Sequence, residues 1–167
     1  HRGQGTSNRL FFFANFYLEF LWVHDEAEAR SSRTAPTRLW ERWSQRRQGA
    51  SSIGLCLRPS RADVEQKPFA GFAYQPAYFP EGYLICLAEQ PIAQPMMFYL
   101  SFASAPIKAR PNARFNSLAT ELVQLQIESP EIDKMHLEGW PQNVQFIASP
   151  FERMTLQLNG GGGREVV

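Results

Sequence analysis

An α+β fold is predicted by two observations: segments with the two-residue period or dense apolar content of strands recur along the chain, and helical signatures are few and short. The composition supports a packed fold. With 167 residues and 44% hydrophobic side chains, one globular domain can bury a core without disulfides. Cys56 and Cys86 lie in apolar runs with neither C-x-x-C spacing nor a neighbouring His, and read as buried thiols. The 17 Lys+Arg against 16 Asp+Glu leave a net charge of +1, which gives no general attraction to nucleic acid or anionic membranes. Neither is expected as a partner. No signal-peptide pattern is present, and the longest uncharged stretch, residues 90–107, is interrupted by Pro91, Pro95 and Pro106, so a cytoplasmic location is expected.

The elements follow in order. Residues 8–13 and 16–23 are rich in aromatic and aliphatic side chains, and Ala14-Asn15 between them suits a tight turn, predicting a hairpin. Asp25 with Glu28 three residues later is an Asp-x-x-Glu variant of the capping box, starting a short helix through Arg30. Pro36 then opens a second helix, with Leu39, Trp40 and Trp43 on one face, Arg38, Arg42 and Arg46 on another, and Gly49 as its stop. The arginines read as a solvated face rather than a phosphate-binding stripe. Residues 52–58 alternate as a half-buried strand. After a polar loop, Pro68 to Pro80 combines prolines that restrict ladder pairing with aromatics that demand burial, predicting an ordered aromatic loop or edge strand.

Strands are expected at residues 83–88 and 96–102, then a polar link with Pro106 and Pro111 and a short helix near 116–120. Next comes the clearest alternation in the chain. Val123, Leu125 and Ile127 face one way, Gln124, Gln126 and Glu128 the other. An irregular stretch at 131–139 precedes residues 144–148 and 153–158, which read as a closing strand pair.

Glu19 is the sharpest functional candidate, because it is a carboxylate inside the otherwise apolar run Tyr17-Leu-Glu-Phe-Leu-Trp-Val. Burial of an unpaired carboxylate costs several kcal/mol, so Glu19 needs either a partner or a wet pocket. A turn at Ala14-Asn15 sets Leu10 opposite Glu19 and puts Asn8, Leu10, Phe12, Tyr17, Glu19 and Leu21 on one face. His1, His24 and His136 are too scattered for a metal signature. Glycines 160–163 are followed by Arg164-Glu165 instead of Lys-Ser/Thr, and no Gly-x-Ser-x-Gly elbow exists, which removes phosphate-loop and serine-hydrolase readings.

The run His1-Arg-Gly-Gln-Gly-Thr-Ser-Asn-Arg-Leu-Phe-Phe-Phe, followed by Tyr17-Leu-Glu-Phe-Leu-Trp-Val-His-Asp, resembles the bacterial glyoxalase-like proteins of the vicinal oxygen chelate superfamily (glyoxalase/bleomycin resistance/dioxygenase). Leu39-Trp-Glu-Arg-Trp, Gly54-Leu-Cys-Leu-Arg-Pro, residues 74–80 and the closing strands carry the likeness further. It implies paired βαβββ modules, with mostly antiparallel sheets curled around a cavity. The chain would form a single domain, with a first module over about 1–58, an aromatic connecting segment over about 68–102 and a second module over about 116–159. The family's first strand and helix would then lie upstream of His1.

The resemblance also implies a divalent metal held by residues from the first and last strands of each module. Glu19 matches one such ligand and Gln124 another, while the remaining position falls at Thr155 or Gln157, neither a carboxylate. The ligand set is therefore incomplete in this chain. The expected cavity is faced by Asn8, Tyr17, Glu19, Gln124, Gln126, Thr155 and Gln157 and rimmed by Phe72, Tyr74, Tyr78 and Phe79. Two readings stay open: an enzyme of lyase, isomerase or dioxygenase type with Glu19 as metal ligand or general base, and a protein that only binds or sequesters a small, partly apolar molecule. Pairing as a homodimer, or service as an oligomerisation module, is the third expectation.

Overall fold

The computed structural model describes residues 1–59, 67–109, 121–132 and 140–159. Among these, nine strands and a few short helices make an α+β fold, as the sequence predicts: β1 (Thr6–Phe12), β2 (Tyr17–Val23), α1 (Glu26–Ala29), a 3-10 helix (Ala35–Thr37), α2 (Leu39–Gln45), β3 (Gly54–Leu57), β4 (Gly71–Tyr74), β5 (Ile85–Ala88), β6 (Met96–Tyr99), α3 (Pro106–Ala109), β7 (Glu121–Ser129), β8 (Val144–Ala148) and β9 (Arg153–Asn159). The polar loop at 60–66, the helix expected near 116–120, residues 133–139 with His136, and glycines 160–163 lie outside the described residues. The chain forms two compact units, His1–Arg9 with Phe20–Ala103, and Leu10–Glu19 with Ser104–Val167. No described helix is long and apolar enough to cross a membrane.

The first unit begins with a loop wound onto α1. Asp25 caps that helix by accepting from the Glu28 N–H at 3.0 Å, which is half of the expected capping box. The other half is replaced. The Glu28 carboxylate accepts from the backbone N–H groups of Gly3 and Gly5, each at 3.0 Å, while the Asp25 N–H donates to the Gly5 carbonyl at 3.1 Å. Gly5 holds φ +72, and a Cβ there would stand 2.2 Å from the Asp25 carbonyl oxygen and 2.7 Å from the Ala29 nitrogen. Only glycine fits that approach.

Pro36 sits in the 3-10 helix, and Arg38 in the left-handed region (φ 57) breaks the path, so α2 starts at Leu39 rather than at Pro36. The arginine face is also not uniformly wet. Arg42 is 8% exposed and donates to the carbonyls of Ile92 (2.9 Å), Gln94 (2.7 Å) and Pro91 (3.3 Å). Helical spacing locates the face but not these distant carbonyls, which make a buried guanidinium tolerable.

The four-stranded sheet of this unit has the order β3-β6-β5-β4, with β3 parallel to β6 and the other pairs antiparallel. Residues 68–80 thus supply an edge strand, β4, as their prolines predict. Phe72 opposite Leu87 and Tyr74 opposite Ile85 fix the register, and Leu87 opposite Phe98 continues the same face. Tyr74, Ile85 and Leu87 form the buried centre, with Phe72, Phe79, Met96, Phe98 and Leu100 packed around it.

In the second unit, β7 is the central strand, with β8 parallel on one side and β9 antiparallel on the other. The expected closing pair of residues 144–148 and 153–158 does not form, because each strand pairs with β7 instead. Register places Leu125, Ile127, Val144, Phe146, Met154 and Leu156 on one face. A bulge between Leu122 and Gln124 shifts the pattern, so Leu122 pairs with Leu158 and Val123 is left 46% exposed rather than facing the core. The hairpin tip belongs to this unit. Phe13 N–H donates to the Phe16 carbonyl at 2.9 Å to close the turn around Ala14-Asn15, and the Asn15 amide both donates to the Leu122 carbonyl and accepts from the Leu122 N–H at 2.9 Å. A side chain here pairs with β7 as strand backbone would. The link carrying Pro106 turns out to include α3, whose Ile107 N–H donates to the Ala14 carbonyl at 3.3 Å.

Replacing Gly5→Ala is expected to destabilise the chain by about 3 kcal/mol, from a left-handed alanine plus backbone overlap. Chemical denaturation checks this; a change under about 0.5 kcal/mol, the size usual for surface substitutions, would show that the loop yields freely.

Candidate functional site

β4 and the turn after it shape a concavity of the first unit. A groove of about 470 Å³ is lined by Arg33, Phe72, Tyr74, Gln75, Phe79 and Glu81, with Pro36, Ala73, Pro76 and Ala77 between them. Its size falls in the range of small-molecule sites, roughly 300–1,000 Å³. The alternation of β4 explains the walls: Phe72 and Tyr74 share the face that carries the buried cluster, and the turn brings Phe79 back onto it. Arg33, Glu81 and Gln75 supply the polar groups. Gln75 is tied down by its own turn, its amide donating to the Pro76 and Pro80 carbonyls at 3.3 and 3.2 Å and accepting from the Gly82 N–H at 3.2 Å.

The N-terminal loop braces this groove at three points. The Tyr74 hydroxyl donates to Gln4 Oε1 at 3.2 Å, with both residues buried. The His1 ring lies 4.5 Å from the Tyr78 ring, and a Cβ on Gly3 would reach within 2.8 Å of Ala77 Cβ. Burial pushes the Tyr74 phenol above its ordinary value of 10.0, while a hydrogen bond with Thr34 and the Arg33 charge pull the other way.

Of the residues singled out from sequence, Phe72, Tyr74 and Phe79 line this groove. Tyr78 does not line it; its ring meets Phe79 edge-on at 4.9 Å and His1 on the other side. Asn8 belongs to the same unit and approaches His1 Nε2 at 3.5 Å. The remaining candidates belong to the second unit. Tyr17 packs against Phe12 with ring centroids 6.4 Å apart, and Glu19 is half-buried on β2. Gln126 stands opposite Thr155 and Gln124 opposite Gln157, so these four share one polar face of the sheet. Gln126 donates to Glu128 Oε1 at 3.0 Å, and Arg153 approaches the same oxygen at 3.9 Å.

That polar face is amide-rich rather than anionic. Glu19 and Gln124, the pair the resemblance assigns to a divalent metal, offer one carboxylate and one neutral amide, whereas hard divalent cations take several charged oxygens. Among the described residues no group of three or more His, Cys, Asp or Glu could hold a metal ion. The described residues do not fit such a cation, and no chemical step is derived through one.

Arg33, Gln75 and Glu81 carry no signal in the sequence that marks them for a site. For Gln4 a hint exists in hindsight: two glycines flank it in Gly3-Gln4-Gly5, the pattern of a backbone that must turn tightly and approach another chain segment.

The fold and this groove define an α+β protein with a concavity of small-molecule size. Residues 1–142 match the glyoxalase-like domain family, and the chain belongs to that family, in agreement with the vicinal oxygen chelate superfamily. No curated protein and no solved structure matches the chain.

The raised Tyr74 value fixes a pH response. Unfolded chain releases the phenolic proton from about pH 10.0 upward while the folded chain retains it, so the Tyr74 contribution to stability is full below that pH and is lost as pH rises through the higher folded value. Urea unfolding of the parent chain and Tyr74→Phe should show a stability difference that is constant at neutral pH and shifts against the parent above pH 10.0. A difference independent of pH would contradict the burial of this hydroxyl.

Proposed function

We propose that this glyoxalase-like domain binds a small, partly apolar organic molecule in the groove of its first unit. The observation that carries the reading is the groove itself: about 470 Å³, walled by Phe72, Tyr74 and Phe79, with Arg33 and Glu81 as its ionic groups. Aromatic walls remove apolar ligand surface from water, and a few fixed polar groups orient the rest. The resemblance to a superfamily whose sheets enclose small-molecule cavities supports the same reading. Binding is what the groove supports; Glu19, on which lyase, isomerase or dioxygenase-type chemistry would call, is not among its lining residues.

Titration with benzoate, followed by backbone amide NMR, tests this. Saturable shifts are expected at residues 72–79, and Phe79→Ala is expected to weaken binding about tenfold through the loss of one aromatic wall. Arg33→Ala should weaken benzoate while leaving a neutral aromatic probe such as benzyl alcohol unaffected. Shifts confined to other parts of the chain would overturn the assignment.

A further inference from the structure

Four polar side chains line the groove of the first unit: Arg33, Tyr74, Gln75 and Glu81. Two of them are spent within the chain, since the Tyr74 hydroxyl donates to Gln4 Oε1 and the Gln75 amide is held by its own turn. The two charged ones are exposed and unspent. Among the described residues neither Arg33 nor Glu81 enters a side-chain hydrogen bond or an ion pair, with the other or with any third residue. Charges close to Arg33 in sequence are matched by contrast, Arg30 with Glu26 at 2.8 Å, Arg38 with Glu41 at 2.7 Å, and Glu28 with the N–H groups of Gly3 and Gly5.

The backbone fixes where each charge starts. Gln75 donates to the Pro80 carbonyl and accepts from the Gly82 N–H, both at 3.2 Å, so one amide grips the chain on either side of Glu81. Beside Arg33, Thr34 is fully buried, donates through its hydroxyl to the Gly3 carbonyl at 3.4 Å and hydrogen bonds with Tyr74. Burial pushes the Tyr74 phenol up while the Arg33 charge acts against that, which puts the guanidinium within electrostatic reach of the hydroxyl. Phe72, Tyr74 and Phe79 form the apolar wall that the two charges share. A ligand with a single charge is attracted by one of them and repelled by the other. A ligand that carries both signs meets an opposite charge at each.

We propose that the groove takes a zwitterion, a small apolar body bearing a carboxylate for Arg33 and, apart from it, an ammonium for Glu81. This rests on the reading of the groove as a ligand site and names the class of its ligand.

The test titrates the full chain with para-(aminomethyl)benzoate and with two probes of the same shape that each lack one charge, para-ethylbenzoate and para-ethylbenzylamine. Backbone amide shifts at residues 72–79 are the readout. Glu81→Gln is expected to lower the affinity ratio of the zwitterion to para-ethylbenzoate about threefold, the size of one ion pair at an exposed site, without weakening para-ethylbenzoate itself. Arg33→Gln is expected to lower the ratio of the zwitterion to para-ethylbenzylamine by a similar factor, again without weakening the singly charged probe. A ratio unchanged in either variant would overturn the proposal. So would an equal loss of zwitterion and singly charged probe, which would assign the residue to the shape of the groove alone. Saturable para-ethylbenzoate shifts with unchanged ratios remove the zwitterion and leave the groove reading. No saturable shift from any of the three probes removes the groove reading and the zwitterion with it.

Discussion

The carboxylate of Glu28 is the point on which the groove of the first unit hangs. One of its oxygens, Oε2, receives the N–H groups of both Gly3 and Gly5. Hydrogen bonds to an ionised carboxylate are shorter and stronger than neutral ones, and two of them converging on one oxygen fix the course of a short loop. The loop then presents Gln4 to the Tyr74 hydroxyl and His1 to the Tyr78 ring. Tyr74 is at once a buried member of the sheet's apolar cluster and a wall of the groove. A helix of four residues, α1, thus positions a strand far away in sequence, and does so through backbone donors that few other residues could bring so close.

The second unit solves a comparable problem differently. Its sheet is organised around β7, the longest of its three strands, which pairs on both sides. Asn15 satisfies both backbone groups of Leu122 at the start of that strand, where the bulge to Gln124 follows. The outcome is a sheet with one apolar face and one polar face, where Gln124, Gln126, Thr155 and Gln157 are joined by the charged pair of Glu128 and Arg153. Its amides and hydroxyl offer both donors and acceptors to uncharged groups.

Much of this was legible in the sequence because it depends on local chemistry. The hairpin around Ala14-Asn15, the Asp25 cap, the edge character of the Pro-rich segment before β5, and the alternation of Gln124, Gln126 and Glu128 all follow from spacing and side-chain type. What escaped was tertiary. Glu28 was readable as a capping partner, yet its carboxylate serves Gly3 and Gly5, which lie more than twenty residues earlier. Arg42 was readable as one of a helical stripe, yet three carbonyls of the turn before β6 bury it. The bulge that exposes Val123 and the placement of β7 between β8 and β9 depend on pairing partners that periodicity does not name. For the site, Phe72, Tyr74 and Phe79 were marked by their aromatic density, whereas Arg33 and Glu81 become visible only once the chain is folded.

Glu28 holds the groove wall through the N-terminal loop. Hydrogen–deuterium exchange of Glu28→Ala against the parent chain tests it most directly, since alanine leaves the helix position favourable and removes only the acceptor. Faster exchange is expected at Gly3 to Thr6 and, together with it, at Phe72 to Ala77. Acceleration confined to Gly3 to Thr6, with the groove segment unchanged, would contradict the claim.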